Sequence, residues 1–129
     1  MRARKAFVAL TLPLMACSTG PATTSPNGSG EEIVIEHIAF QPSTAEIEAG
    51  TTITWTNRDD RVRHTVTSGI AGDKGIPGID EGQPNEPDGI FAGELEGTGA
   101  TFAFAFDEPG TYAYFCKVHP VMTASVIVN

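Results

Sequence analysis

A two-residue period constrains this chain more than any other feature. In Thr51-Thr-Ile-Thr-Trp-Thr-Asn57, Ile53 and Trp55 fall on one face of a β-branched run. In Thr101–Phe106, Phe102, Phe104 and Phe106 share a face, with Ala between them. Successive side chains of a strand point to opposite sides, so each run is a half-buried strand and neither can show a helical stripe. Ile33 and Ile35 alternate as well, and Ile38 and Phe40 alternate in the opposite phase, which predicts a β-bulge near Glu36-His37. Further strands are predicted over Ala45–Ala49, Val62–Thr67, Thr111–Cys116 and Thr123–Val128, with turns at Gly50 and Asp107-Glu-Pro-Gly110. No segment carries a sustained helical period. About eight short strands in roughly 100 residues predict an all-β, two-sheet sandwich. Ser68–Gly89 does not fit the pattern. It is rich in Gly and Pro and reads as one long loop, either a decoration or a surface that recognises a partner.

The strands begin only after residue 30. Met1–Lys5 is basic, and Ala6–Ala16 is a mostly apolar run too short to cross a bilayer, as in a signal peptide. The run ends in Leu14-Met15-Ala16-Cys17, which resembles the lipobox of bacterial lipoproteins and implies a lipid on Cys17. Residues 18–30 contain no bulky apolar side chain and read as a flexible tether, spanning about 20 Å as a coil. The expected organisation is a leader over 1–16, a lipidated Cys17 with its tether over 17–30, and a domain over 31–129. That domain would be exported and anchored on the extracytoplasmic face, periplasmic or outer, of a membrane. All 16 Asp and Glu lie in the domain; removing the leader's Arg2, Arg4 and Lys5 leaves five cations, for a net charge of −11. Such acidity disfavours nucleic acid and anionic lipid.

With Cys17 lipidated, Cys116 has no disulfide partner, and an exported lone thiol is either inert packing or a metal ligand. Cys116, His119 and Met122 follow one another at three-residue steps at the end of a strand. A continued strand would throw them to alternate faces, so a loop must gather them. His64 lies on an earlier strand that a sandwich can bring opposite. One thiolate, two imidazoles and one thioether form the donor set of an electron-transfer copper site. The set suits a closed zinc site poorly. His37 reads as solvent-exposed, Trp55 as core, and Tyr112 as an anchor for the strand after the Pro-Gly turn. Arg58, Arg61 and Arg63 precede His64 and read either as a solvated turn or as a basic ring around the site.

The stretch GTYAYFCKVHPVMTASVIVN is similar to the C-terminal signature of the cupredoxins, with amicyanin's Cys-x-x-His-x-x-Met spacing. GTTITWTNRDDRVRHTV resembles the segment that carries the first histidine ligand in plastocyanin, amicyanin and halocyanin, and FAGELEGTGATFAFAFDEPGTY the approach to the copper loop. The resemblance covers nearly all of 31–129. It implies a Greek-key β-sandwich, one type 1 copper cycling between Cu(I) and Cu(II), and His64, Cys116, His119 and Met122 as ligands. Two positions depart from the family: Arg63 stands where Pro usually precedes the histidine, and Thr65 where Asn usually follows it. Thr65 can still offer a hydroxyl to tie down the cysteine loop.

The resemblance further implies a monomeric electron shuttle that transforms no substrate. His119 would be its electron port, and Val118, Pro120 and Val121 the apolar surface around it. Arg61 and Arg63 would steer an acidic partner. Expected partners are redox proteins, such as c-type cytochromes or a membrane or periplasmic oxidoreductase. Similarity of the loop to amicyanin's also implies a reduction potential that rises as pH falls. A copper carrier or scavenger is the rival function, but its Met- and His-rich tracts are missing. A purely structural sandwich would not need four donors, and oxidase chemistry would need more.

Overall fold

The strand around Trp55 organises the molecule. The computed structural model describes residues 30–73, 75 and 77–129; the leader, Cys17 and the tether up to residue 29 lie outside the described residues. Nine strands follow in order: β1 (Glu31–Ile35), β2 (Phe40–Gln41), β3 (Thr44–Ile47), β4 (Thr51–Asn57), β5 (Arg63–Ile70), β6 (Glu86–Glu96), β7 (Thr101–Phe106), β8 (Gly110–Phe115) and β9 (Thr123–Val128). They form a four-stranded sheet, β2-β1-β4-β7, and a five-stranded sheet, β3-β9-β8-β5-β6. The chain changes sheet between β2 and β3, β3 and β4, β4 and β5, β6 and β7, and β7 and β8, so the two layers are woven together. β1 runs parallel to β4, and β3 parallel to β9; the other pairs are antiparallel. The described residues contain no α-helix.

β4 buries Ile53, Trp55 and Asn57 on its inner face, as its alternation requires. Trp55 lies within 5.6–5.7 Å, ring to ring, of Phe91, Phe102 and Tyr114, and 6.3 Å from Phe106. This aromatic cluster is the centre of the core. Burial pushes the Tyr114 hydroxyl up to about 12, the Trp55 indole pulling slightly the other way. The two groups meet without the geometry of a hydrogen bond, since neither polar atom has a partner. The Tyr112 hydroxyl donates to the Glu108 carbonyl at 2.8 Å and anchors the turn into β8.

Three expectations change. β6 is a strand that the sequence does not predict, and together with the separation of β2 from β1 it brings the count to nine. Its inward positions are Phe91, Gly93 and Leu95, and a Cβ at Gly93 would overlap the Phe102 ring of the facing sheet. The supposed loop from Ser68 to Gly89 therefore shortens, because β5 runs on to Ile70 and β6 starts at Glu86. Ser68 is buried where the β5–β6 register shifts, and its hydroxyl donates to the Phe91 carbonyl and accepts the Phe91 N–H. The phase change after Ile35 is not a bulge. It is a chain reversal that brings β2 back against β1, with Ile35 facing Phe40. His37 and Ile38 adopt φ values of 55° and 56° there. A β-branched residue in that left-handed region is a true outlier, costing about 1–2 kcal/mol. The contacts that hold it come from beside the candidate site.

Candidate metal centre

All four sequence-predicted ligands lie at the ends of β5, β8 and β9, or in the loop joining the last two. His64 is the second residue of β5 and is fully buried opposite Leu95. β8 pairs with β5 through Thr67–Phe115 and Ser68–Tyr114, so the chain leaves β8 alongside Thr65. Cys116 is next. It is buried and free of any disulfide. The loop from 116 to 122 is closed by its own backbone: Cys116 N–H donates to the Met122 carbonyl at 3.1 Å, and Met122 N–H to the His119 carbonyl at 2.9 Å. Met122 is buried at the foot of β9.

This folding brings three donor atoms together. Cys116 Sγ lies 3.6 Å from His119 Nδ1 and 4.0 Å from His64 Nδ1, and all three donors fall within 4.8 Å of one another. A metal about 2.0–2.3 Å from nitrogen and sulfur donors in a trigonal plane separates them by roughly 3.5–4 Å. The two sides of the triangle that meet at Cys116 Sγ match that spacing, and the histidine–histidine side stays within 4.8 Å. The triangle's chemistry, a thiol with two imidazoles and a buried thioether close by, fits copper.

Neighbouring groups secure the triangle. Thr65 N–H donates to Cys116 Sγ at 3.3 Å, and Lys117 N–H donates to Thr65 Oγ1 at 2.8 Å. The threonine in the family's asparagine position therefore does tie the cysteine loop to β5 through its hydroxyl. The Thr67 hydroxyl backs it at 3.4 Å. On the other side of His64, Nε2 sits 2.9 Å from Asp59 Oδ2. Burial of Asp59 would raise its pKa, but backbone N–H groups of Ile38 and His37 and the His64 ring together hold the carboxyl below its usual range. Burial lowers the His119 pKa, and nearby His64 pushes the same way against a smaller upward pull from Asp59. A lowered pKa keeps that imidazole neutral, with its lone pair free to bind a metal.

His64 is enclosed, whereas His119 is only half-buried. Around it Val118 is 47% exposed and Val121 86% exposed, and Pro120 is half-buried. The arginines are placed differently from a free basic ring. Arg63 reaches across the β5–β6 pair to Glu94 at 2.8 Å and Glu96 at 3.6 Å, and Arg61 lies 3.8 Å from Asp60. Their charge is locally matched, and exposed pairs of this kind add little stability. His37 is exposed, as expected. Asp59 escaped the sequence reading. Its one signal was a carboxylate within the charged run just before His64.

Residues 30–129 match the model of the copper-binding proteins of the plastocyanin/azurin family. The chain is a cupredoxin. Cupredoxins are electron carriers, not enzymes, and they bind copper. This cupredoxin is 30% identical to amicyanin-alpha of Methylorubrum extorquens over 119 residues, covering 92% of this chain and 87% of that one. It is 33% identical to amicyanin of Paracoccus versutus over 95 residues, covering 74% and 61%. Among solved structures, a purple cupredoxin from Nitrosopumilus maritimus superposes with a TM-score of 0.58 at 30% identity, over 77% of this chain and 99% of that one. The P. versutus amicyanin crystal structure gives a TM-score of 0.56 at 25% identity, over 82% and 85%. The cupredoxin fold and its copper site thus agree with the donor cluster of His64, Cys116 and His119, with Met122 beside it.

Proposed function

We propose that this cupredoxin shuttles single electrons between redox proteins outside the cytoplasm, held to a membrane by a lipid on Cys17. The observation that carries the reading is the convergence of Cys116 Sγ with the His64 and His119 Nδ1 atoms. Copper bound there supplies the one-electron Cu(I)/Cu(II) couple. Cys116 would hold the ion through its thiolate and His64 and His119 through their Nδ1 atoms, with the Met122 thioether as a weaker further donor. The donors are anchored to β-strands by backbone hydrogen bonds, so they move little when the charge at the site changes. Small reorganisation makes electron transfer fast.

His119 is the port. Of the two imidazoles only it reaches the surface, within the apolar collar of Val118, Pro120 and Val121. A collar of this kind can be dried by a partner such as a c-type cytochrome or a membrane or periplasmic oxidoreductase, and the electron crosses there. The basic run before Ala6, the apolar run to Ala16, Cys17 and the polar tether support export and anchoring.

Electron shuttling and copper delivery make opposite demands. In a mixture of Cu(I) and Cu(II) protein, NMR line broadening is expected to show rapid electron self-exchange, with the copper retained against a competing chelator. Slow self-exchange with readily lost copper would replace the shuttle by a copper carrier.

A further inference from the structure

We propose that Asp59 is a positioning residue of the copper centre: its carboxylate fixes the His64 ring from behind, and the His37–Ile38 turn fixes the carboxylate. The inference rests on the copper reading above. Asp59 Oδ2 lies 2.9 Å from His64 Nε2 and also accepts the Ile38 N–H at 3.0 Å. Asp59 Oδ1 accepts the His37 N–H at 2.7 Å. The other nitrogen of the same ring, Nδ1, faces Cys116 Sγ. An imidazole with its Nε2–H committed to a carboxylate keeps the Nδ1 lone pair for a metal, and its ring cannot flip without breaking that bond.

The carboxylate has little freedom of its own. Asp59 N–H donates to Asn57 Oδ1 at 2.9 Å, and the Thr98 hydroxyl donates to the Asp59 carbonyl at 3.1 Å. Asn57 is buried at the end of β4 and donates to the Val62 carbonyl at 2.8 Å, which closes the turn into β5. Arg58 N–H donates to the Ile35 carbonyl at 2.8 Å and joins that turn to the end of β1. The left-handed conformations of His37 and Ile38 now have a reason. They aim two successive N–H groups at one anion, and such concave pairs of amides bind anions well. The first chain reversal, the β4–β5 turn and a copper ligand therefore meet on a single carboxylate.

The arrangement has an electrostatic consequence. A negative charge one imidazole away from the metal favours Cu(II) over Cu(I), so it lowers the reduction potential. Asp59→Asn preserves size and an acceptor but removes that charge. In the copper-loaded variant the potential is expected to rise. Cu(II) affinity should fall by about 10–100-fold, the usual effect of losing an outer partner of a ligating histidine, and Cu(I) affinity should fall less. A residue that merely closes a turn would weaken both oxidation states equally and leave the potential where it was; that result would overturn the proposal. A second measurement needs neither a variant nor copper. Long-range 1H–15N NMR of the metal-free protein is expected to show His64 protonated at Nε2, with slow exchange of that proton. A proton on Nδ1, or one that exchanges as fast as an exposed imidazole, would sink the idea. Failure of the copper reading looks different: the wild-type chain would then lack a thiolate–copper band, whatever the His64 proton does.

Discussion

Cys116→Ser is expected to abolish most of the stabilisation that copper gives the protein while leaving the metal-free protein nearly as stable as before. With free copper a thousandfold above the dissociation constant, binding to the folded state alone stabilises it by about 4.1 kcal/mol. The thiolate is a direct ligand, so its loss should exceed the roughly 100-fold upper range seen for outer partners. Even a 100-fold loss leaves only about 1.4 kcal/mol at the same copper concentration. For a domain near 100 residues each kcal/mol moves Tm by about 4–8 °C, so the difference is easily seen by calorimetry. Without metal the substitution is mild: serine is slightly smaller, and its hydroxyl can accept the Thr65 N–H that Cys116 Sγ accepts at 3.3 Å. An equal copper-induced rise in Tm for both proteins would mean that Cys116 is ordinary core packing.

Trp55→Ala is expected to cost about 3–5 kcal/mol, the range for truncating a large buried aromatic side chain. Trp55 is fully buried and has rings from β6, β7 and β8 around it, so the cavity would open between the two sheets. Against the 5–15 kcal/mol total of a typical domain, this is a large share of the stability. Trp55→Phe should cost less than half as much. It keeps a ring in the cluster and sacrifices no hydrogen bond, because the indole N–H has no partner. Urea denaturation of the three proteins gives the comparison directly. A loss below about 1 kcal/mol for the alanine variant would show that the sheets are held together elsewhere.

What could be read in the sequence, and what could not, follows from the range of each interaction. β4, β7, β8 and β9 announced themselves because their inward side chains are large and regularly spaced. β6 hid because the middle of its three inward positions is Gly93, and the space a side chain would take belongs to Phe102 on the opposite sheet. Nothing local to Phe91–Leu95 reveals that exchange. The reversal at His37-Ile38 passed for a bulge because the β-branched Ile38 disfavours a left-handed backbone. The reason they adopt it is Asp59, 22 and 21 positions away. The four ligands were legible because their chemistry is rare and three of them share one loop. Asp59 was not, since in sequence it is one of several charges in a turn. The pairing of Arg63 was hidden for the same reason: its partners Glu94 and Glu96 lie on β6, the strand that could not be seen.

The most direct test of the central claim is the absorption and EPR spectrum of the Cu(II)-loaded protein. An intense visible thiolate-to-copper charge-transfer band with narrow copper hyperfine splitting is the expected result, since Cys116 would hold the ion through its thiolate beside His64 and His119. A pale spectrum with the wide hyperfine splitting of tetragonal copper would contradict the account, for copper would then be bound without the Cys116 thiolate.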